Sequence, residues 1–354
     1  MYYHDYLQLD KILDAQYPES FKDGLEPAHD EMLFIIVHQA YELWFKQVLY
    51  ELNFVVNVFK KTNIDDNSED LNLVRHRLRR IIKINELLNH QVDLIDTMTP
   101  LDFLEFRNLL TPSSGFQSVQ FRQVEALLGL DMNNRHDKEY YKRTNEGGFL
   151  PSDLSKITGI EQQESLLTLI NNWLERMPFF EMEFWKNYKS QFSCKENVHP
   201  FWCDYRTIYN TGLSERESAR IQDFDLLFFN NPGNFTEEEI LTKKPGMSAE
   251  AMKAGLFIML YRDFPVFQTS YQVLDALVEI DHQMATWRHK HLVMVRRMIG
   301  MRMGTGSTSG SGYLEGALNK HYVFKDIAGI STFLIQRKKL PKLPSELIRK
   351  LSYS

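Results

Sequence analysis

Cysteine is nearly missing from this 354-residue chain, which has only Cys194 and Cys203. That scarcity excludes a disulfide framework and any four-thiolate zinc or iron–sulfur site, and it leads to the expectation of a reducing compartment. A transition metal would have to be held by imidazole, and the chain has 11 histidines. Long apolar runs are missing too. A stretch such as Met32 to Val37 falls far short of the ~20 residues of a membrane span. The opening Met1-Tyr2-Tyr3-His4-Asp5 has neither the basic nor the apolar region of a secretion signal. A soluble, cytoplasmic protein with no membrane partner is expected.

Nor is one sign of charge in large excess. Lys plus Arg number 41 and Asp plus Glu 47, a net charge of −6, so no nucleic-acid partner is expected. The basic run Arg75 to Arg80 reads as a solvated helix face. Several catalytic signatures are absent: no HExxH zinc motif, no Gly-x-Ser-x-Gly elbow, no EF-hand loop, and no phosphate loop ending in Gly-Lys-Ser/Thr.

What the chain does have is helical periodicity. From Asp30 to about Lys61, apolar residues recur at Phe34, Val37, Tyr41, Phe45, Val48, Leu52, Val55 and Phe59, steps of three and four along one helix face. A second stripe passes through Val74, Leu78, Ile81, Leu88, Val92 and Ile95. Thr99-Pro100 reads as an N-cap with proline at the first helical position, opening a helix to Leu110 that breaks near Thr111-Pro112. Another helix starts near Ser114 and stops at Gly129. Thr158 to Glu161 and Thr236 to Glu239 read as capping boxes. The longest pattern, Pro265 to Gly300, would span about 50 Å as the spine of a bundle. Sustained alternation is absent, so the expected fold is all-α. We expect a single domain over residues 1–354, with a less regular helical insertion at about 133–246.

Two histidines stand on apolar faces. Met284, Trp287, His291, Met294 and Met298 share a stripe of the long helix, whereas His289 points about 200° away. His38 shares a face with Phe34, Tyr41 and Phe45. Each reads either as a buried structural histidine or as a ligand, and a lone imidazole among Met and Trp suits the fifth ligand of haem iron. Arg107, one turn after Phe103 in an apolar segment, is either half of an internal salt bridge or a clamp for a substrate carboxylate. The Gly/Ser/Thr run 304–312 is either a linker or a loop whose N–H groups and hydroxyls surround a polar ligand.

Four stretches, in order, resemble the tryptophan 2,3-dioxygenase family: His29 to Lys46 (HDEMLFIIVHQAYELWFK), Pro112 to Ser118 (PSSGFQS), Trp287 to His291 (WRHKH), and Met298-Ile-Gly300 leading to Gly304-Thr-Gly306. Tyr3 to Leu7 (YHDYL) is similar to the family's opening segment. The resemblance implies an enzyme with one haem b per subunit, Fe(II) when active, that adds O₂ to L-tryptophan to give N-formyl-L-kynurenine, the entry to the kynurenine pathway. It implies a homotetramer in which Tyr3, Tyr6 and Leu7 enter a neighbouring subunit's pocket. By the same resemblance, His291 is the iron ligand and His38 accepts the indole N–H. Phe34 and Phe103 line the substrate site, Arg107 and Thr305 hold the amino-acid end, and Ser114 and Gly115 lie beside the haem.

Two departures stand out. Ser307 occupies a position that is commonly glycine in the family, and Phe103 one that is tyrosine in some relatives. A related haem enzyme acting on another indole, and a non-catalytic haem sensor, are the competing readings. Arg107 and Thr305 together favour an amino-acid substrate over bare indole.

Overall fold

The computed structural model describes residues 1–61, 69–130, 148–193, 198–300, 302, 314–315, 318 and 321–352. The described residues form helices and no strand, as the periodicity predicts. In chain order the α-helices are α1 (Tyr3–Leu7), α2 (Leu9–Leu13), α3 (Glu31–Phe59), α4 (Glu69–Ile95), α5 (Pro100–Phe106), α6 (Val119–Leu128), α7 (Pro151–Glu161) and α8 (Leu166–Glu175). They continue with α9 (Met182–Trp185), α10 (Pro200–Gly212), α11 (Arg220–Phe229), α12 (Glu237–Lys243), α13 (Ala249–Leu260), α14 (Pro265–Ile299), α15 (Lys325–Gly329) and α16 (Ser345–Leu351).

The helix ends follow local chemistry. Thr99 caps α5 in a reciprocal box with Asp102: the Asp102 N–H donates to the Thr99 hydroxyl, and the Thr99 N–H to the Asp102 carboxylate at 2.8 Å. That helix is shorter than expected, because its last turn tightens into a 3₁₀ segment, Arg107–Leu110. The segment predicted from Ser114 likewise opens with a 3₁₀ turn, Gly115–Gln117, before α6 begins. Gly129 ends α6 at φ 115°, a left-handed conformation in which a side chain would be strained. Thr236 caps α12 as expected. Thr158 does not start a helix. It lies inside α7, its hydroxyl donating to the Leu154 carbonyl, and Ser165 caps the helix that follows. Cys203 is disulfide-bonded, whereas the scarcity of cysteine led to the expectation of a reducing compartment. Cys194 lies outside the described residues.

The chain divides into two compact units: Met1–Asn53, Arg80–Glu164 and Ile280–Val323 form the first, and Phe54–Arg79, Ser165–Glu279 and Phe324–Ser354 the second. Helices α3, α4 and α14 contribute residues to both. In the first unit, Val37, Tyr41, Phe45, Val48 and Leu52 of α3 and Ile81, Ile84, Leu88 and Val92 of α4 are buried. Apart from Ile84, these are positions of the predicted stripes, and their apolar faces are removed from water. Polar ties hold the helices in register. The Tyr41 hydroxyl donates to the Leu88 carbonyl at 2.7 Å, and burial pushes its pKa up to about 12. The Asn89 amide donates to Gln283, and the Lys290 ammonium to Asp93 and the Asn89 carbonyl.

The second unit is built on aromatic packing. Phe179, Trp185, Phe201, Trp202 and Phe257 form a continuous cluster of ring contacts. Helix α13 packs against α8, and on α13 Gly255 permits the close approach of the 3₁₀ turn Ile330–Phe333, since a Cβ there would stand 2.9 Å from Ile330 Cδ1.

Candidate active site

Helix α3 carries Phe34 and His38 one turn apart, with ring centroids 4.1 Å from each other. Helix α5 sets Phe103 at 5.8 Å and the buried Phe106 at 5.5 Å from Phe34. Three phenyl rings and one imidazole thus share one aromatic corner of the first unit. Arg107 directly follows and is half-buried.

The protonation of His38 follows from its contacts. Its Nδ1 lies 2.7 Å from the Phe34 carbonyl oxygen, which can only accept, so Nδ1 carries the proton. Burial lowers the ring's pKa, and a neutral imidazole of this tautomer presents Nε2 as an acceptor. Solvent reaches the ring even so.

His291 is held differently. The indole of Trp287, one turn earlier on α14, stacks on it with centroids 5.1 Å apart and planes 5° from parallel. Phe121 of α6 and Tyr41 of α3 press on that indole at 5.1 and 6.1 Å. Burial, with a smaller contribution from the charge of His38, lowers the His291 pKa to about 4. Its Nδ1 is buried with no hydrogen-bond partner among the described residues. A neutral imidazole fixed by stacking, with one orphaned buried nitrogen, has the character of a metal ligand. Among the described residues no group of three or more His, Cys, Asp or Glu side chains is arranged to hold a bare ion. Iron carried by a prosthetic group, needing a single protein ligand, fits this donor set. The cavity lined by Phe45, Phe121, Met284 and Trp287 has a volume of about 20 Å³, room for a single water and not for an indole.

Not every expected residue joins this cluster. Ser114 uses its hydroxyl locally, accepting the Phe116 N–H, while Gly115 has open space where a Cβ would stand. Tyr3 and Tyr6 are 71% and 67% exposed on α1, and Leu7 is exposed beside them. Thr305 and Ser307 lie outside the described residues.

One feature of the unit was not read from the sequence. Glu125 is 1% exposed and accepts from three sides. Arg122 donates to it at 2.7 Å and Arg288 at 3.0 Å, while His321 Nδ1 lies 3.5 Å away. Arg288 also donates to the His321 carbonyl at 2.9 Å. Arg288 lies one turn before His291, so the network ties the helix bearing His291 to the segment after the Gly/Ser/Thr run. The only sequence signal is the i, i+3 pairing of Arg122 with Glu125.

The tryptophan 2,3-dioxygenase family model matches residues 1–334. The chain belongs to the tryptophan 2,3-dioxygenase family. It is similar to a protein named tryptophan 2,3-dioxygenase from Bdellovibrio bacteriovorus, 40% identical with 100% of this chain and 98% of the relative covered. The protein of that name from Dictyostelium discoideum is 38% identical, covering 100% and 88%. Tryptophan 2,3-dioxygenase B from Danio rerio is 39% identical, covering 96% and 84%. For a tryptophan 2,3-dioxygenase family member, the two imidazoles and the phenyl corner are the parts to be explained. Among the described residues no helix is long and apolar enough to cross a membrane.

Proposed function

We propose that the chain is a haem-dependent dioxygenase that inserts O₂ across the indole C2–C3 bond of L-tryptophan. The product is N-formyl-L-kynurenine, the first step of tryptophan catabolism by the kynurenine pathway. Family membership supports the reaction class, and the family's dependence on haem supports haem b, one per chain. The observation that carries the reading is His291, an imidazole stacked on Trp287 whose buried Nδ1 has no hydrogen-bond partner among the described residues.

His291 would hold the iron through its imidazole. Haem, when bound, would supply the iron chemistry that activates O₂. The residues do the positioning. His38 Nε2 accepts the indole N–H, and Phe34 and Phe103 wall the indole. Arg107 pairs with the substrate carboxylate in the bidentate geometry of a guanidinium, and Thr305 holds the ammonium and carboxylate end. Ser114 and Gly115 lie beside the haem. Tyr3, Tyr6 and Leu7 complete the pocket of a neighbouring subunit in a homotetramer, which accounts for their exposure in a single chain. Fixing the amino-acid end places C2–C3 for reaction, and such positioning contributes several kcal/mol of a barrier, on the order of 7 or more in the best intramolecular cases.

Purified protein should show a Soret band and, reduced in air with L-tryptophan, form N-formylkynurenine. His291→Ala should lose haem, whereas His38→Ala should keep haem and measurable turnover. Full haem content in His291→Ala sinks the ligand assignment. Product from indole but not from tryptophan sinks the substrate assignment.

A further inference from the structure

The second unit holds a basic cavity that the dioxygenase reading does not use. It has a volume of about 790 Å³, and four lysines, Lys189, Lys338, Lys339 and Lys342, stand around it. None of the four has an ion pair or side-chain hydrogen bond among the described residues. In a chain of net charge −6, four unneutralised ammoniums around one hollow concentrate positive potential there. Asn187, Gln191 and Thr211 add polar groups, while Ile208, Leu340, Leu343 and Pro344 supply an apolar wall.

Both sides of the hollow are anchored. Asp204 is fully buried, and its carboxylate accepts from the Tyr188 hydroxyl at 2.7 Å, the Ser190 hydroxyl at 2.6 Å and the Gln191 N–H at 3.0 Å. That fixes the backbone presenting Lys189. Farther along the chain, the Tyr261 hydroxyl donates to the Pro341 carbonyl at 2.7 Å and Arg337 pairs with Asp263 at 3.2 Å, bracketing Lys338 and Lys339, with Lys342 directly after Pro341. Glu346 is already engaged by the Asn187 amide at 2.8 Å. The backbone that presents these exposed lysines is tied down on both sides, which lowers the ordering cost of binding an anion. Three of the four lysines lie beyond residue 334, where the family match ends.

We propose that this cavity binds a small organic anion bearing two or more phosphate or carboxylate groups. Its size lies within the range of small-molecule sites, roughly 300–1,000 Å³. The charged groups meet the lysines, and the organic body covers Ile208, Leu340 and Leu343.

Isothermal titration of the full chain with ATP, pyrophosphate and AMP tests the site. Saturable binding of one ATP per chain is expected, weakening as salt is raised. ATP should bind tighter than pyrophosphate, which cannot cover the apolar wall, and tighter than AMP, which carries one phosphate. Lys189→Gln, Lys338→Gln and Lys342→Gln should each weaken binding roughly tenfold, the worth of one charge-assisted hydrogen bond. The melting temperature and dioxygenase activity without ATP should stay unchanged. Equal affinity for ATP and pyrophosphate overturns the organic part of the assignment. Absence of saturable binding, unchanged binding in the lysine variants, or binding only to phosphatidylserine vesicles or a poly-glutamate peptide overturns the site.

Discussion

The indole of Trp287 lies flat on the imidazole of His291, with planes 5° from parallel. A stacked ring of that size restricts rotation of the imidazole about its own axis and shields Nδ1 from water. Trp287→Phe should keep the stack and the haem spectrum. Trp287→Ala should cost about 3 kcal/mol of stability in denaturant titration, and it should shift the Soret band by freeing the imidazole plane. An unshifted spectrum in the alanine variant would remove Trp287 from any role in orienting His291.

His38 should act as an acceptor only while neutral. Its pKa is lowered from 6.5, so the neutral form persists below that pH. The acid limb of kcat/KM for tryptophan should therefore fall below pH 6.5, and His38→Ala should flatten it while retaining turnover. An acid limb above 6.5 that survives in His38→Ala belongs to another group.

Glu125 neutralises two buried guanidiniums. Glu125→Leu should destabilise the protein by about 3–5 kcal/mol, because Arg122 and Arg288 lose their shared carboxylate in a desolvated place. Adding Arg288→Met to it should recover part of the loss. Chemical denaturation of the single and double variants checks this, and a double variant weaker than the single one would contradict it.

His199 caps α10 through Nδ1, which accepts the Phe201 N–H at 3.3 Å, and burial lowers its pKa to about 4. The folded state then binds fewer protons than the unfolded state between about 4 and the ordinary value of 6.5. Stability should fall as pH drops through that window, by on the order of 2 kcal/mol once partial exposure is allowed for. Protonation also removes the capping lone pair. His199→Asn, which caps without titrating, should flatten the slope of unfolding free energy against pH.

Tyr6 tests the shared pocket. Tyr6→Ala and Arg107→Ala chains, each weakly active alone, should regain activity when unfolded together and reassembled into mixed tetramers. Complementation is expected because one subunit would then combine its own Arg107 with a neighbour's Tyr6. No gain on mixing would place Tyr6 outside the neighbour's site.

The helices were legible because their signals are local. The steps of three and four in α3 and α4 and the Thr99 box belong to contiguous residues, so elementary helix geometry specifies them. Thr158 shows the limit. Thr158-x-x-Glu161 has the residues of a capping box, but α7 opens earlier at Pro151 and runs through it, because packing of Leu154 and Ile157 against Val119 and Phe149 favours a continuous helix. The stacking of Trp287 on His291 was implicit in their four-residue spacing.

The sequence by itself determined an all-α chain, the faces on which His38 and His291 stand, and the family to which their motifs point. Only the tertiary structure decided which partners those faces meet. Helical phase specifies a direction but not what lies in it. The Glu125, Arg288 and His321 network draws on segments up to 196 positions apart in sequence, and the lysine cavity joins residues from Asn187 to Pro344. The protonation of His38, by contrast, is local: the carbonyl 2.7 Å from its Nδ1 is that of Phe34, one turn earlier on the same helix. Charge and hydrogen bonding depend on neighbours in space, and those are set by the burial of apolar faces far apart along the chain.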